Sequence, residues 1–315
     1  MLARLQRGLV SCVLGCALVW WITLAALGHP AWAVLGALLV LSGHALLLAA
    51  ESAVSWSFQR RHISAPSARM VLSAWAGEVV EVVRVFFWRQ PFCADEEPDH
   101  LPADAPGRYG AVFVHGFVCN RGLWTPLLRR LRRSSAAPFV AVTLEPVFGP
   151  IEGYVPIIEA AVTRVERATG RPVILVGHSM GGLVIRAWLA RFAADDRVRR
   201  VITIGTPHRG TWLARHGRTA NTRQMRMDDP WLERLAASES ADRYAKFTCF
   251  FGNCDNIVFP AVCATLEGAC NRHVPGTAHV HMAFDGQVLA ELERWLGLTD
   301  GPQESKTDAE AQRPH

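Results

Sequence analysis

The stretch VILVGHSMGG, residues 173–182, decides how this 315-residue sequence folds. Its four leading apolar residues predict a buried strand, and the run GLVIRAWL that starts at Gly182 predicts a helix. The G-x-S-x-G pattern places Ser179 at the tip of the turn between them, with glycines where strand and helix nearly collide. A serine hydroxyl is a poor nucleophile in water, so such a turn is typical of a site that holds serine beside a base and oxyanion donors. The alternative is a structural serine in a glycine-rich turn.

Apolar runs that predict strands alternate with helical patterns from about residue 108 onward. This alternation favours a parallel sheet with helices on both faces, which binds ligands beyond the carboxyl ends of its strands. Ser179, His115 and Thr206 each follow a predicted strand, so we expect the functional site at that edge. The predicted strands are 109–114, 139–144, 173–176, 201–205 and 247–251, and the predicted helices are 121–133, 151–169, 182–192 and 287–296.

Candidate partners for Ser179 come later in the sequence, because this fold class orders its catalytic residues as serine, acid and histidine. Asp255, in the loop after the strand at 247–251, is the predicted acid. The predicted base is His279, and His281 remains the alternative because alternate residues of an extended loop share one side. The other candidate acids lie in a polar insertion at 211–243, where solvated charges are the simpler interpretation: Asp228, Asp229 and Asp242.

Two backbone amides are predicted to stabilise an oxyanion. One belongs to Met180, directly after the serine, and the other to Phe117, in the loop after the first strand, where Gly116 lets the backbone approach. A metal site is the less favoured use of the late histidines, and we expect neither a metal nor another cofactor. The histidines concerned are His273, His279 and His281.

Two apolar segments near the amino terminus, 9–27 and 31–50, contain no charged residue and are each long enough to cross a bilayer, for which about 20 residues suffice. The sequence Gly-His-Pro between them breaks the helix, so they predict a transmembrane hairpin. Trp20, Trp21 and Trp32 lie near its tip, where interfacial aromatic residues are expected. The predicted domains are the hairpin at 1–52, a juxtamembrane and linker region at 53–107, the catalytic domain at 108–298 and a disordered tail at 299–315.

Basic residues predict the orientation of this hairpin. Arginines precede the first span and follow the second, at positions 4, 7, 60 and 61, so both ends are expected to be cytoplasmic. We therefore expect the protein in a bacterial inner membrane with the catalytic domain in the cytoplasm. The alternative is an exported protein that faces the periplasm, because residues 31–33, Ala-Trp-Ala, have the form of a signal-peptide cleavage site.

Two further segments have ambiguous patterns. The apolar stretch 68–88 carries Glu78, Glu81 and Arg84, which makes it too charged to span easily; it predicts an interfacial helix, or a helix or strand that covers the catalytic domain. The insertion at 211–243 is a candidate lid, whose apolar residues would either face lipid or pack on the domain. These residues are Trp212, Met225, Met227, Trp231 and Leu232.

Composition narrows the class of partner. The net charge is +5, but no basic run is interleaved with aromatic residues and no phosphate-binding loop is present, so no nucleic-acid partner is expected. The expected partners are a membrane and a lipid or other apolar ester, and the sequence predicts no oligomeric state. The eight cysteines are interpreted as free thiols, with a bridge from Cys249 or Cys254 to Cys270 as the alternative in an exported domain.

Together these motifs resemble the α/β-hydrolases of the lipase and esterase group, and they are similar to bacterial triacylglycerol lipases over about residues 109 to 297. Two features depart from that group: Ala278 replaces the usual glycine before the histidine, and secreted lipases lack a membrane hairpin. The resemblance rests on HGF at 115–117, GHSMGG at 177–182, GTPHRG at 205–210, and on Asp255 and His279.

This resemblance implies an α/β-hydrolase fold and a membrane-anchored serine hydrolase that cleaves carboxylic esters, in particular lipid-like acyl esters, through an acyl-enzyme on Ser179. Acyl transfer and thioester cleavage use the same residues and remain alternatives. A third hypothesis is a membrane adaptor or transport-associated protein whose domain only binds. The ordered set of Ser179, Asp255 and His279 argues against that hypothesis, since a binding module does not need it.

Overall fold

In the part of the chain that the structure describes, six parallel strands form one sheet in the order β2-β1-β3-β4-β5-β6. The computed structural model describes residues 1–60, 65–134, 137–227 and 229–298, so the predicted tail at 299–315 lies outside the described residues. Strand β3 is buried along its whole length, which accounts for its continuous apolar run. The strands are β1 Ala111–Val114, β2 Phe139–Ala141, β3 Val173–His178, β4 Val198–Ile204, β5 Phe247–Phe251 and β6 Cys270–His273.

Helices cover both faces of this sheet, which confirms the α/β architecture inferred from the alternation. Ile158 and Leu183 belong to the apolar core on one face, and Leu128 and Leu292 belong to the core on the other. The helices are α1 Leu2–Ala26, α2 Pro30–Gln59, α3 Ala68–Val82, α4 Gln90–Phe92, α5 Thr125–Ser134, α6 Val155–Thr169, α7 Met180–Phe192, α8 Ala220–Gln224, α9 Pro230–Ala237, α10 Ala241–Tyr244, α11 His279–Met282 and α12 Gly286–Leu296.

Helices α1 and α2 form an antiparallel hairpin, and both are long and apolar enough to span a membrane. Most of their apolar surface is exposed, and Gly28, at φ +80°, allows the tight turn between them. Near that turn, the indole N–H of Trp20 donates to the carbonyl of Trp32 over 3.1 Å. Helix α2 continues to Gln59, nine residues beyond the predicted span, because no glycine or proline interrupts it there.

The third apolar stretch is helical and covers part of the domain that contains the sheet. Helix α3 continues as a π-helix over Val83–Arg89. Glu78 of α3 is buried against the domain, whereas Leu72, Val80 and Trp88 remain exposed. The segment therefore has one side that packs on the domain and an apolar side that faces outward.

Most of the candidate lid packs on the domain instead of facing outward. Met225, Trp231 and Leu232 are buried in the core next to the sheet, so the lipid-facing hypothesis is wrong for these three side chains. Met227 remains 41% exposed. The indole of Trp212 packs against Phe58 of α2, with 5.0 Å between ring centroids.

All eight cysteines are free thiols. Cys270 lies opposite Thr248 in the β5–β6 ladder, and Cys249 lies opposite Asn271. Successive residues of a strand point to opposite faces, so the side chains of Cys249 and Cys270 diverge. The register of the two strands therefore argues against the bridge between these two cysteines.

A buried ion pair connects the insertion at 211–243 to helix α7. The guanidinium of Arg186 donates to both carboxylate oxygens of Glu239 and to the carbonyl of His208, and both charged side chains are almost completely buried. Removal of one partner from a buried pair leaves the other charge without compensation.

Glu239→Ala is therefore expected to destabilise the protein by about 3–5 kcal/mol. For a domain of this size, the thermal midpoint of the full chain in detergent micelles should fall by about 10 °C. Asp104→Ala, which removes the exposed Asp104–Arg108 pair, is the control and should cost less than about 1 kcal/mol. Equal thermal midpoints for the two variants would contradict the expected contribution of the buried pair to the free energy of unfolding.

Candidate active site

Ser179 lies in a strained turn between β3 and α7. Its backbone has φ 53° and ψ −128°, a region that residues with a Cβ rarely adopt, and its N–H donates to the carbonyl of Ile204 over 2.9 Å. A Cβ on Gly177 would lie 2.7 Å from the nitrogen of Gly182, and one on Gly181 would overlap the carbonyl oxygen of Val114. Strand and helix thus approach each other as closely as the glycine pattern predicts.

Asp255 and His279 form a buried pair beyond the end of β5. One carboxylate oxygen of Asp255 accepts from the backbone N–H groups of Ile257 and Val258, at 2.8 Å each. The other oxygen lies 2.9 Å from His279 Nδ1. Because Nδ1 faces the carboxylate, it carries the proton in the neutral ring, and Nε2 is left with the lone pair that a base needs.

The chain brings this pair to the same corner of the sheet as the serine turn. His178, directly before the serine, donates from Nε2 to the carbonyl of His279 over 3.1 Å, and the two rings lie 4.7 Å apart. Gly205 closes the corner, since a Cβ there would lie 3.1 Å from both His279 Cε1 and Asp255 Oδ2. No described residue forms a hydrogen bond with the Ser179 hydroxyl. Before substrate binds, the bond between a catalytic nucleophile and its base is often long.

Burial lowers the pKa of both histidines at this corner, but only His279 has a neighbouring carboxylate that opposes the effect. Burial lowers the pKa of His279, but the charge of Asp255 and the hydrogen bond to it outweigh that effect, and the net pKa lies above the usual imidazole value. His178 has no such carboxylate, and burial lowers its pKa to about 3. His178 is therefore neutral at physiological pH, while His279 is poised to take up a proton.

The loop after β1 lies directly against the serine. A Cβ on Gly116 would be 2.8 Å from Ser179 Cβ, so only glycine allows this approach. His115 fixes the loop: its Nδ1 donates to the carbonyl of Gly116 over 2.8 Å, and its Nε2 accepts from the N–H of Leu144 over 2.9 Å. This bonding pattern needs a neutral ring, consistent with burial that lowers the pKa of His115 to about 4.

Both predicted oxyanion donors are close to the serine in the chain or in space. Met180 is the first residue of α7, so its N–H has no partner within the helix. Phe117 follows Gly116, and its ring packs against the exposed ring of Phe148 with 5.9 Å between centroids. The loop therefore combines a backbone amide with an apolar surface.

The alternative site residues lie elsewhere. The ring of His281 packs on α3, where a Cβ on Gly77 would lie 2.6 Å from its Nδ1. The ring of His273 packs on Phe251, and the described residues contain no group of three or more side chains suited to a metal ion. Asp229 caps α9 through the N–H of Trp231, Asp242 is exposed on α10, and Asp228 lies outside the described residues.

Sequence reasoning missed the contribution of the amino-terminal helices to this corner. Side chains of α2 and α3, namely Glu51, Ser55 and Glu78, reach the segments that carry Asp255 and His279. The one available signal was the presence of two acidic residues, Glu51 and Glu78, in segments that are otherwise mostly apolar. An acid on an otherwise apolar helix face is costly to bury unless it has a partner.

Comparison with known proteins extends these observations. A family model described as "Alpha/beta hydrolase family" matches residues 111–300. The mature form of Bacillus licheniformis lipase BlEst2 is similar in structure, with a TM-score of 0.51 and 19% identity over 61% of this chain and 92% of that one. Its propeptide form gives a TM-score of 0.52 and 19% identity over 66% of this chain and 54% of that one. At this level of identity, the likeness is one of fold.

Proposed function

Because the chain belongs to the alpha/beta hydrolase family, we propose that it hydrolyses carboxylic esters through an acyl-enzyme formed on Ser179. The observation that carries the proposal is the buried Asp255–His279 pair at the corner that also holds the strained serine turn. A binding module gains nothing from that geometry, whereas a nucleophile, a base and an orienting carboxylate form the standard apparatus of serine hydrolases.

In the first half of the proposed reaction, Ser179 Oγ attacks the ester carbonyl carbon while His279 Nε2 takes the hydroxyl proton. Asp255 keeps the imidazole in the required tautomer and stabilises the imidazolium. The N–H groups of Phe117 and Met180 stabilise the negative oxygen of the tetrahedral intermediate. The carbon–oxygen bond to the alcohol then breaks, and His279 gives its proton to the departing alkoxide.

In the second half, water replaces the alcohol. His279 Nε2 takes a proton from the water as its oxygen attacks the acyl carbon, and the same two amides hold the new oxyanion. Collapse of this intermediate breaks the bond to Ser179 Oγ, which recovers its proton from His279. The products are a carboxylic acid and an alcohol, and the protein returns to its initial state.

We further propose that the substrate is an acyl lipid or similarly apolar ester and that the enzyme is anchored in a membrane, with the catalytic domain in the cytoplasm. The exposed apolar surface of α1 and α2 supports the anchor, because exposed apolar area of that extent needs a lipid or protein partner. The exposed Phe148 beside Phe117 supports an apolar substrate at the oxyanion loop.

The test is fluorophosphonate labelling combined with a hydrolysis assay. The full chain in detergent should react covalently with the probe and should cleave p-nitrophenyl acyl esters. A membrane-impermeant probe should label the protein in permeabilised cells and leave it unlabelled in intact cells. Absence of both labelling and hydrolysis would contradict the enzymatic proposal, and labelling in intact cells would contradict the cytoplasmic orientation.

The proposed base predicts a pH dependence. His279 must be neutral to accept the serine proton, so kcat/KM should fall as the pH is lowered, with a midpoint above about 6.5, the ordinary imidazole value. The midpoint lies high because the charge of Asp255 outweighs the effect of burial on the His279 pKa. A pH–rate profile with a p-nitrophenyl ester measures it. Asp255→Asn should lower both kcat and the midpoint, and a wild-type midpoint below about 6.5 would contradict the argument.

A further inference from the structure

The carboxyl-terminal end of α2 contacts the loop that carries Asp255. Three polar side chains, at 51, 55 and 59, are spaced four residues apart and therefore share one face of the helix. The Ser55 hydroxyl donates to the carbonyl of Asp255 over 2.6 Å. Glu51 accepts from the side-chain amide of Asn256 over 2.9 Å, and Gln59 accepts from the N–H of Ala261 over 3.3 Å.

Glu78 of α3 holds the turn that carries His279. Its two carboxylate oxygens accept from the consecutive N–H groups of Val280 and His281, at 2.9 Å each, and the residue is 1% exposed. Burial raises the pKa of Glu78 to about 7, although these two hydrogen bonds act to lower it. Burial makes the charged form of Glu78 costly, and the two N–H donors of one turn offset part of that cost because each oxygen accepts from one of them.

The two helices act on adjacent N–H groups of the same turn. The side-chain oxygen of Asn256, whose amide donates to Glu51, accepts from the N–H of His279 over 3.3 Å. The next two N–H groups donate to Glu78. Three consecutive backbone donors at the start of α11 are thus bound by side chains that belong to, or are held by, α2 and α3. These bonds fix where the His279 ring emerges.

We propose that α2 and α3 complete the active site, with Glu78 as a positioning residue that acts through His279 and with Ser55 and Glu51 holding the loop of Asp255. This proposal rests on the proposed function. It differs from a simple membrane tether, because α2 has 30 residues and a bilayer needs about 20, so about ten remain outside. That outer portion, the last third of α2, carries all three polar contacts.

The test compares Glu78→Ala and Glu78→Gln with Glu81→Ala in the full chain. Glu81 is the matched control, because it is buried on the same helix but pairs with Arg84 and Arg89. We expect Glu78→Ala to lower kcat for a p-nitrophenyl ester by about 10- to 100-fold, with KM within about twofold of wild type, since a displaced base slows chemistry more than binding. Glu78→Gln keeps one acceptor oxygen and should restore part of kcat.

A second variant tests the proposal even if Glu78→Ala does not fold. Ser55→Ala deletes one hydroxyl from α2 and should lower kcat by about 3- to 10-fold, with a fall in the thermal midpoint of only a few degrees. If both Glu78→Ala and Ser55→Ala match the kcat of Glu81→Ala, or if Glu78→Ala raises KM alone, the proposal is overturned. The proposed function fails in a different way, since wild-type protein would then neither react with the fluorophosphonate nor hydrolyse esters.

Discussion

Ser179→Ala is expected to lower kcat for ester hydrolysis by about 10⁴-fold or more and to abolish fluorophosphonate labelling. Alanine removes the oxygen that attacks the ester. The oxyanion donors and the Asp255–His279 pair remain, but neither can form the covalent bond to the acyl carbon. The residual rate should resemble that produced by oxyanion stabilisation and binding alone. Steady-state kinetics with a p-nitrophenyl ester, and in-gel detection of the labelled chain, measure the two effects.

The control for this variant is Ser238→Ala. Ser238 is an exposed serine directly after α9, and its hydroxyl donates to the carbonyl of Leu235, so its loss should leave both kcat and labelling unchanged. Thermal midpoints of the two variants should agree within a few degrees, which separates lost chemistry from lost folding. If Ser179→Ala kept wild-type kcat, the nucleophile would be another residue and the proposed mechanism would be wrong.

His279→Ala and His281→Ala should differ sharply, although the two residues are separated by a single position. Loss of His279 removes the proposed base and should lower kcat by about 10⁴-fold or more. The His281 ring packs on Gly77, and the hydrogen bond to Glu78 comes from the His281 backbone, so its replacement should change kcat by less than about threefold.

The kinetic comparison of these two variants decides which histidine is the base. Each is measured with the same p-nitrophenyl ester at a pH well above the expected midpoint of the wild-type profile. The reverse order of effects would transfer the role of base to His281. In that case the Asp255–His279 hydrogen bond would have no role in catalysis.

The parts of the fold that could be predicted are those with local sequence signals. Strands β1, β3 and β5 are largely buried and mostly apolar in sequence, and the glycines around Ser179 mark the close approach of strand and helix. Strand β6, with the sequence CNRH, was missed because it lies at the sheet edge and carries no apolar run. Its pairing with β5 depends on neighbours that are distant in sequence.

The same distinction, between local sequence signals and contacts with distant residues, applies to the candidate site. Ser179 and Asp255 follow from their places after strands, and His279 follows from chain order, with His281 as the alternative. The ring direction of His281 could not be inferred, because residues 279–282 form a helical turn and not the extended loop that would place both histidines on one side. The roles of Glu51 and Glu78 depend on contacts across about 200 positions, which no local periodicity encodes.

Helix α2 continues without a break from its start at Pro30 to its last contact with the α/β-hydrolase domain at Gln59. A flexible linker would let a domain sample many distances and orientations, but a continuous helix docked at three polar side chains does not. In a bilayer, such a stalk would hold the proposed nucleophile, Ser179, at a fixed height and tilt above the lipid headgroups. If the proposed function holds, the protein would meet lipid substrates by lateral diffusion in two dimensions, and the depth of the scissile ester, more than its bulk concentration, would govern which lipids react.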